Sequence, residues 1–176
     1  MKRYPALLIA LHWLTALAVV IAYASSGNPA ESHDLFDALI GQVHVISGLA
    51  VFALVALRLP ARLLLGTPAA LPAPRWQARL AHAAHIALYA LMLLVPLAGW
   101  AALADETATF TLAGGIALPL PDAHASWVEW LGETHETLGN AFIWLAGLHA
   151  LAALVHHNLL RDATLLRMLP LKALAR

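Results

Sequence analysis

Four long apolar runs, separated by polar or Pro/Gly-rich stretches, set the pattern of the chain. They fall at about 5–26, 38–64, 78–103 and 133–160. Each is long enough for a helix of about 20 residues to cross the hydrocarbon core of a bilayer. The first begins after Tyr4-Pro5 and stops at a breaker cluster, Ser25-Ser26-Gly27-Asn28-Pro29. The second closes before Gly66-Thr67-Pro68 and Pro72-Ala73-Pro74, a short stiff loop. Pro96 lies inside the third and predicts a kink, which membrane helices tolerate. The longest connection, 104–132, carries Gly114-Gly115, Pro119 and Pro121, then the aromatic piece SWVEWL, suited to lying flat at a membrane interface. The expected fold is an all-α integral membrane protein, a four-transmembrane-helix bundle forming one membrane domain over 1–176.

Composition agrees and narrows the class. The chain is 61% hydrophobic and 11% charged, whereas soluble domains are roughly half apolar. Net charge is zero, so no nucleic-acid partner is expected. The absence of cysteine excludes disulfides, thiolate metal sites and covalent haem attachment.

Charge placement then orients the bundle. The ten basic residues are Lys2, Arg3, Arg58, Arg62, Arg75, Arg79, Arg161, Arg167, Lys172 and Arg176. All lie before the first run, around the loop joining the second and third, or after the fourth. The other two loops have no Lys or Arg, and nine of the ten acids lie in them or at the adjoining start of the fourth run. By the positive-inside rule both termini and the loop between spans two and three are expected to be cytoplasmic. Lys2-Arg3, the first run and Ala22-Tyr23-Ala24 also have the outline of a cleavable leader. That run is long for a leader and holds His12, so it is expected to stay.

Histidines interrupt the apolar runs, and depth sorts them. His12 sits about two turns into span one on the cytoplasmic side, and His44 near the outer end of span two. On span four, His135 lies just inside the outer boundary and His149 is 14 residues deeper. Fourteen residues are about 21 Å of helix and return to within about 40° of the starting direction, so both project from one face. His12 therefore pairs in depth with His149, and His44 with His135. Two imidazoles from two helices at one level describe a bis-histidine haem, whereas zinc wants further ligands. Gly48 follows His44 by four residues and Gly139 follows His135 by four; Ala16 and Ala153 stand likewise after His12 and His149. Small residues there leave room for a macrocycle, although helix packing alone also favours them. His33 and His124 belong to outer loops and are expected to be solvated. His82, His85, His156 and His157 lie near the cytoplasmic ends, as interfacial residues or as a proton-handling mouth. The tryptophans fall mostly at predicted interfaces; Trp144, deep in span four, is expected to pack against a porphyrin.

Several segments resemble the bacterial cytochrome b561 family. They are ALHW at 10–13, GQVHVISG at 41–48, ARLAHAAHIALYALMLLVPLAGW at 78–100, ETHETLGN at 133–140, GLHALAALVHH at 147–157 and DATLLRMLP at 162–170. The likeness covers essentially the whole chain and is greatest to the family's small di-haem members. It implies two haem b groups, iron being the only metal, with axial ligands His12 and His149 for the inner haem and His44 and His135 for the outer. It implies superoxide as the periplasmic-side electron donor and ubiquinone as the acceptor at the cytoplasmic side. Arg79, His85 and His156, with the neighbourhood of Ala10, match the quinone and proton-relay positions. The outer loops depart from what an anionic donor calls for. Asp105, Glu106, Asp122, Glu129, Glu133 and Glu136 stand there without a cation. An electron-carrying or anchor subunit docked by a basic periplasmic redox protein is the alternative. A haem-handling protein without turnover is a third reading.

Overall fold

Helix formation follows the apolar runs closely, because in lipid every backbone polar group must be paired within the segment. The structure, a computed structural model, describes residues 2–27 and 34–170. His33, Lys172, Arg176 and the Asn28-Pro29 breaker lie outside the described residues. In order, the elements are α1 (Ala6–Ala24), α2 (Leu35–Leu65), α3 (Arg75–Glu106), β1 (Phe110–Leu112), β2 (Ile116–Leu118), α4 (Ser126–Glu133) and α5 (His135–Asn158). Helix α2 starts three residues earlier than its apolar run, because the Asp34 carboxylate caps it, accepting from the Asp37 N–H at 2.9 Å. Helix α3 is longer at both ends and continues through Pro96. Helix α5 begins only at His135, since α4 occupies the preceding residues and Thr134 ends it with a side-chain bond to the Leu131 carbonyl at 2.7 Å.

The long connection is more ordered than its composition implies. Strands β1 and β2 form an antiparallel hairpin pairing Phe110 with Leu118, Thr111 with Ala117 and Leu112 with Ile116. Gly114 and Gly115 turn it at φ of 102° and 80°, which glycine adopts without a Cβ clash. Gln42 of α2 clamps the hairpin, donating to the Thr111 carbonyl at 2.8 Å and accepting from the Ala113 N–H at 3.0 Å. The aromatic piece is α4. Val128 is fully buried against Ala101 and Ala104 of α3, while Trp127 and Trp130 are exposed.

Around the bundle α1 packs on α2, α2 on α3 and α3 on α5, and α5 stands off from α1 and α2. An apolar layer of Ala18, Val51, Val55, Leu88, Met92 and Phe142 closes the middle. The four long helices are apolar yet mostly exposed, Leu14, Leu17, Val20, Leu57 and Leu148 among the exposed residues. Such faces belong in lipid, and the protein is a multi-pass membrane protein. One end of the bundle is acidic and carries the hairpin and α4. The other, basic end is fastened by the segment after α5. There the Tyr4 N–H donates to the Arg167 carbonyl at 3.3 Å, Trp13 Nε1 to Met168 at 2.7 Å, Arg3 to Leu169, and Arg167 to the Ala69 carbonyl at 2.8 Å.

Candidate functional site

Helix α5 stands off from α1 and α2, and on either side of the apolar layer histidines face each other, at two levels. Near the acidic end, His44 of α2 and His135 of α5 have ring centres 6.0 Å apart. Near the basic end, His12 of α1 and His149 of α5 are 6.4 Å apart. A metal–imidazole bond is about 2 Å and a ring nitrogen lies about 1.1 Å from the ring centre, so two rings trans across one metal sit roughly 6 Å apart. Both depth pairings expected from the sequence are thus brought together.

At the acidic-end pair the backbone prepares the rings. Helix α1 ends at Ala24, leaving the Ala22 carbonyl among the last acceptors without a backbone donor, though the Ser25 hydroxyl donates to it at 3.3 Å. His44 Nδ1 donates to that carbonyl at 2.8 Å. His135 Nδ1 donates to the Val95 carbonyl of α3 at 3.0 Å. With both Nδ1–H groups engaged, each Nε2 keeps its lone pair for a metal, the usual arrangement of ligating histidines. Gly99, one turn after Val95, makes this possible: a Cβ there would lie 2.8 Å from His135 Cε1. Two cavities flank the pair, of about 490 and 140 Å³, both lined by His44, His135, Gly27, Gly48 and Pro96. The imidazoles stand as posts in one slot. Gly48 has open space where a Cβ would be, and Gly139 lines the larger lobe. A flat macrocycle with two axial nitrogens fits these residues.

The basic-end level is built differently. His85 of α3 also approaches His149, with ring centres 5.4 Å apart, and its Nδ1 donates to the Ala81 carbonyl at 2.6 Å. That separation is too short for a trans pair across a metal, so His12 is the better opposite ligand. Arg58 of α2 lies within electrostatic reach of His12, His85 and His149, its guanidinium 5.7 Å from the Tyr89 ring centre. The sequence reading put Arg58 among the charges at a membrane boundary; it is half-buried beside the histidines. One signal for it was available: Arg58 follows His44 by 14 residues, as His149 follows His135.

The remaining predicted residues divide. Among the described residues, His156 makes its hydrogen bonds away from this cluster. Its Nδ1 donates to Asp162 Oδ2 at 2.5 Å, and its Nε2 accepts from the Gln77 amide at 3.0 Å. Burial alone would raise the Asp162 carboxyl, but hydrogen bonds from His156 and Thr164 outweigh it and hold it at about 2. Arg79 and His82 are exposed on the first turns of α3, His157 is half-buried, and His124 is exposed as expected. The expectation for Trp144 fails. It lies nine residues from His135, about 180° around the helix, and its side chain is 75% exposed on the outer face. Asp162, Gln77, Tyr89 and Gly99 were not singled out from the sequence.

Comparison with known proteins places these features in context. Residues 3–171 match the family described as prokaryotic cytochrome b561. A Yersinia pestis protein named probable superoxide oxidase is 34% identical over 172 residues, covering 97% of this chain and 98% of that protein. Cytochrome b561 homolog 1 of Escherichia coli is 33% identical over 175 residues, covering 97% and 98%. A cytochrome b562 of Cereibacter sphaeroides is 33% identical over 172 residues, covering 94% of each.

Proposed function

The chain belongs to the prokaryotic cytochrome b561 family of membrane electron-transfer proteins, and on that premise we propose that it is a di-haem superoxide:ubiquinone oxidoreductase of the bacterial inner membrane. The family implies b-type haem. In this reading His44 and His135 hold the outer haem, and His12 and His149 the inner one. Bound haem supplies one-electron storage at the iron. The overall reaction converts two superoxide ions, one ubiquinone and two protons into two dioxygen molecules and one ubiquinol. The observation that carries the reading is the spacing of the paired rings, 6.0 and 6.4 Å at two levels. The name of the Yersinia pestis relative supports superoxide as the donor.

The chain's own residues bind, orient and move protons. The Ala22 and Val95 carbonyls fix the tautomers of His44 and His135. Val51, Met92 and Phe142 close the space between the levels with side chains that exclude water. Protons for ubiquinone enter from the cytoplasmic, basic end. His156 takes up a proton at Nε2 in place of the Gln77 hydrogen bond, because Asp162 holds Nδ1–H. His85 Nε2 is the corresponding position beside His149, its Nδ1–H being held by Ala81. Arg79 serves at the mouth as a surface cation.

One observation favours a second reading. Glu106 and Glu136 line the slot at the acidic end, where they repel an anion and suit a basic redox protein. Rapid mixing of the purified protein with superoxide and ubiquinone separates the two. Superoxide is expected to reduce a b-type spectrum faster than it dismutates spontaneously. Reduction no faster than dismutation removes the oxidase reading and leaves the docked-subunit one; no b-type spectrum at all removes both.

A further inference from the structure

Arg58 is a guanidinium without a carboxylate partner among the described residues. Among the described residues the one ion pair is His156 with Asp162. Of the ten acids, nine lie in or beside the loops of the acidic end, and the tenth, Asp162, is bonded to His156 and Thr164. Arg58 is half-buried in α2 and rests over Tyr89. Its charged and titratable neighbours are Arg62 on its own helix, His12 and Tyr4 toward α1, His85 and Tyr89 on α3, and His149 on α5. None is a carboxylate. A cation held inside a membrane bundle among imidazoles wants an anion, and such residues mark bound groups.

The helices show where that anion belongs. Three of them repeat their site residues at a 14-residue interval: His44 and Arg58 on α2, His85 and Gly99 on α3, His135 and His149 on α5. Gly99 touches His135 at the acidic-end level and His85 faces His149 at the other. Arg58 is therefore the contribution of α2 to the basic-end level, in the place where its acidic-end counterpart is a ligand.

We propose that Arg58 is the counter-charge for a carboxylate of the group held between His12 and His149, a haem propionate. A guanidinium offers parallel N–H donors that match a carboxylate, and the Tyr89 face steadies it by a cation–π contact. The proposal rests on the haem reading above.

The test uses the purified holoprotein carrying haem labelled with carbon-13 in its propionate carboxyls, and the variants Arg58→Leu, Arg58→Lys and Tyr89→Leu. Haem loss to a soluble haem scavenger is followed together with the isotope-sensitive infrared carboxylate band. In Arg58→Leu one of the two haems is expected to leave roughly 10- to 100-fold faster, with the labelled band displaced. Arg58→Lys is expected to restore most of the retention, and Tyr89→Leu to give a smaller effect of the same kind. If Arg58→Leu does not fold, an Arg58→Lys band identical to wild type overturns the proposal. Haem bound by every variant with an unmoved labelled band also overturns it, including the case where only lipid phosphate bands respond. A wild-type protein without b-type haem removes the functional reading and this proposal together.

Discussion

The two levels of the bundle use the same pair of residues and prepare them in opposite ways. At the acidic end, backbone carbonyls of Ala22 and Val95 hold both rings, and glycines open a slot on either side. At the basic end neither His12 nor His149 bonds a backbone carbonyl among the described residues. The level is instead crowded with a third imidazole, a guanidinium and a phenol. The acidic-end site fixes each ring by a backbone carbonyl, suited to holding a group in one orientation. The basic-end site has groups that titrate, donate and neutralise, suited to a partner that takes up protons. Two like pairs of imidazoles thus stand in unlike chemistry, and the difference lies in the neighbours.

Removing a ligand should separate the levels most sharply. His135→Ala and His149→Ala are each expected to halve the haem-to-protein ratio from two to one, with different spectral components lost; pyridine haemochrome assay against protein content checks this. Loss of both haems from either variant would mean that the levels are not independent. Next comes Gly99→Ala. The added Cβ lies 2.8 Å from His135 Cε1, so the ring loses its place against Val95. Haem retention at the acidic-end level is expected to fall roughly 10- to 100-fold while the other level is unchanged. His85→Ala should do the reverse kind of damage: both haems stay, and steady-state ubiquinone reduction falls about 100-fold. Haem loss there would make His85 a ligand.

The smallest effect concerns Asp162. Its carboxyl is lowered from 3.8 to about 2, so its hydrogen bonds stabilise the fold fully above about pH 4 and lose that contribution as pH falls through 2. Asp162→Asn is expected to lower the Tm by a few degrees at pH 7. The gap to wild type should shrink as melting is repeated toward pH 3, and a gap independent of pH would contradict it.

The helices and the pairing of histidines could be read from the chain because both depend on counting. Apolar length sets the spans, and rise per residue sets depth. The hairpin at 110–118 escaped because its anchor, Gln42, belongs to a distant helix and Gly114-Gly115 alone do not define a register. Gly99 escaped because a glycine in an apolar run gives no sign of which ring it admits. Arg58 was read by its sign, as a boundary charge, when its spacing from His44 held the information. His156 was placed at the correct end, but its partner Asp162 lies in the returning segment, whose course no periodicity predicts. Trp144 was judged by depth without its angle around the helix, and the angle turns it to the outer face.

The fastening at the basic end, where Tyr4, Trp13 and Arg3 meet residues 167–169, bears on biogenesis. Synthesis proceeds from the N-terminus, so α1 is in place long before the segment that ties it down exists. Both histidine pairs wait on α5 as well, since each takes one ring from it. Neither pair can form until the last helix inserts, and the tie between residues 3–13 and 167–169 closes after that. A chain stopped at residue 133 is expected to insert three spans and bind no haem. On the haem reading, neither cofactor can be fully ligated before the chain is made through α5.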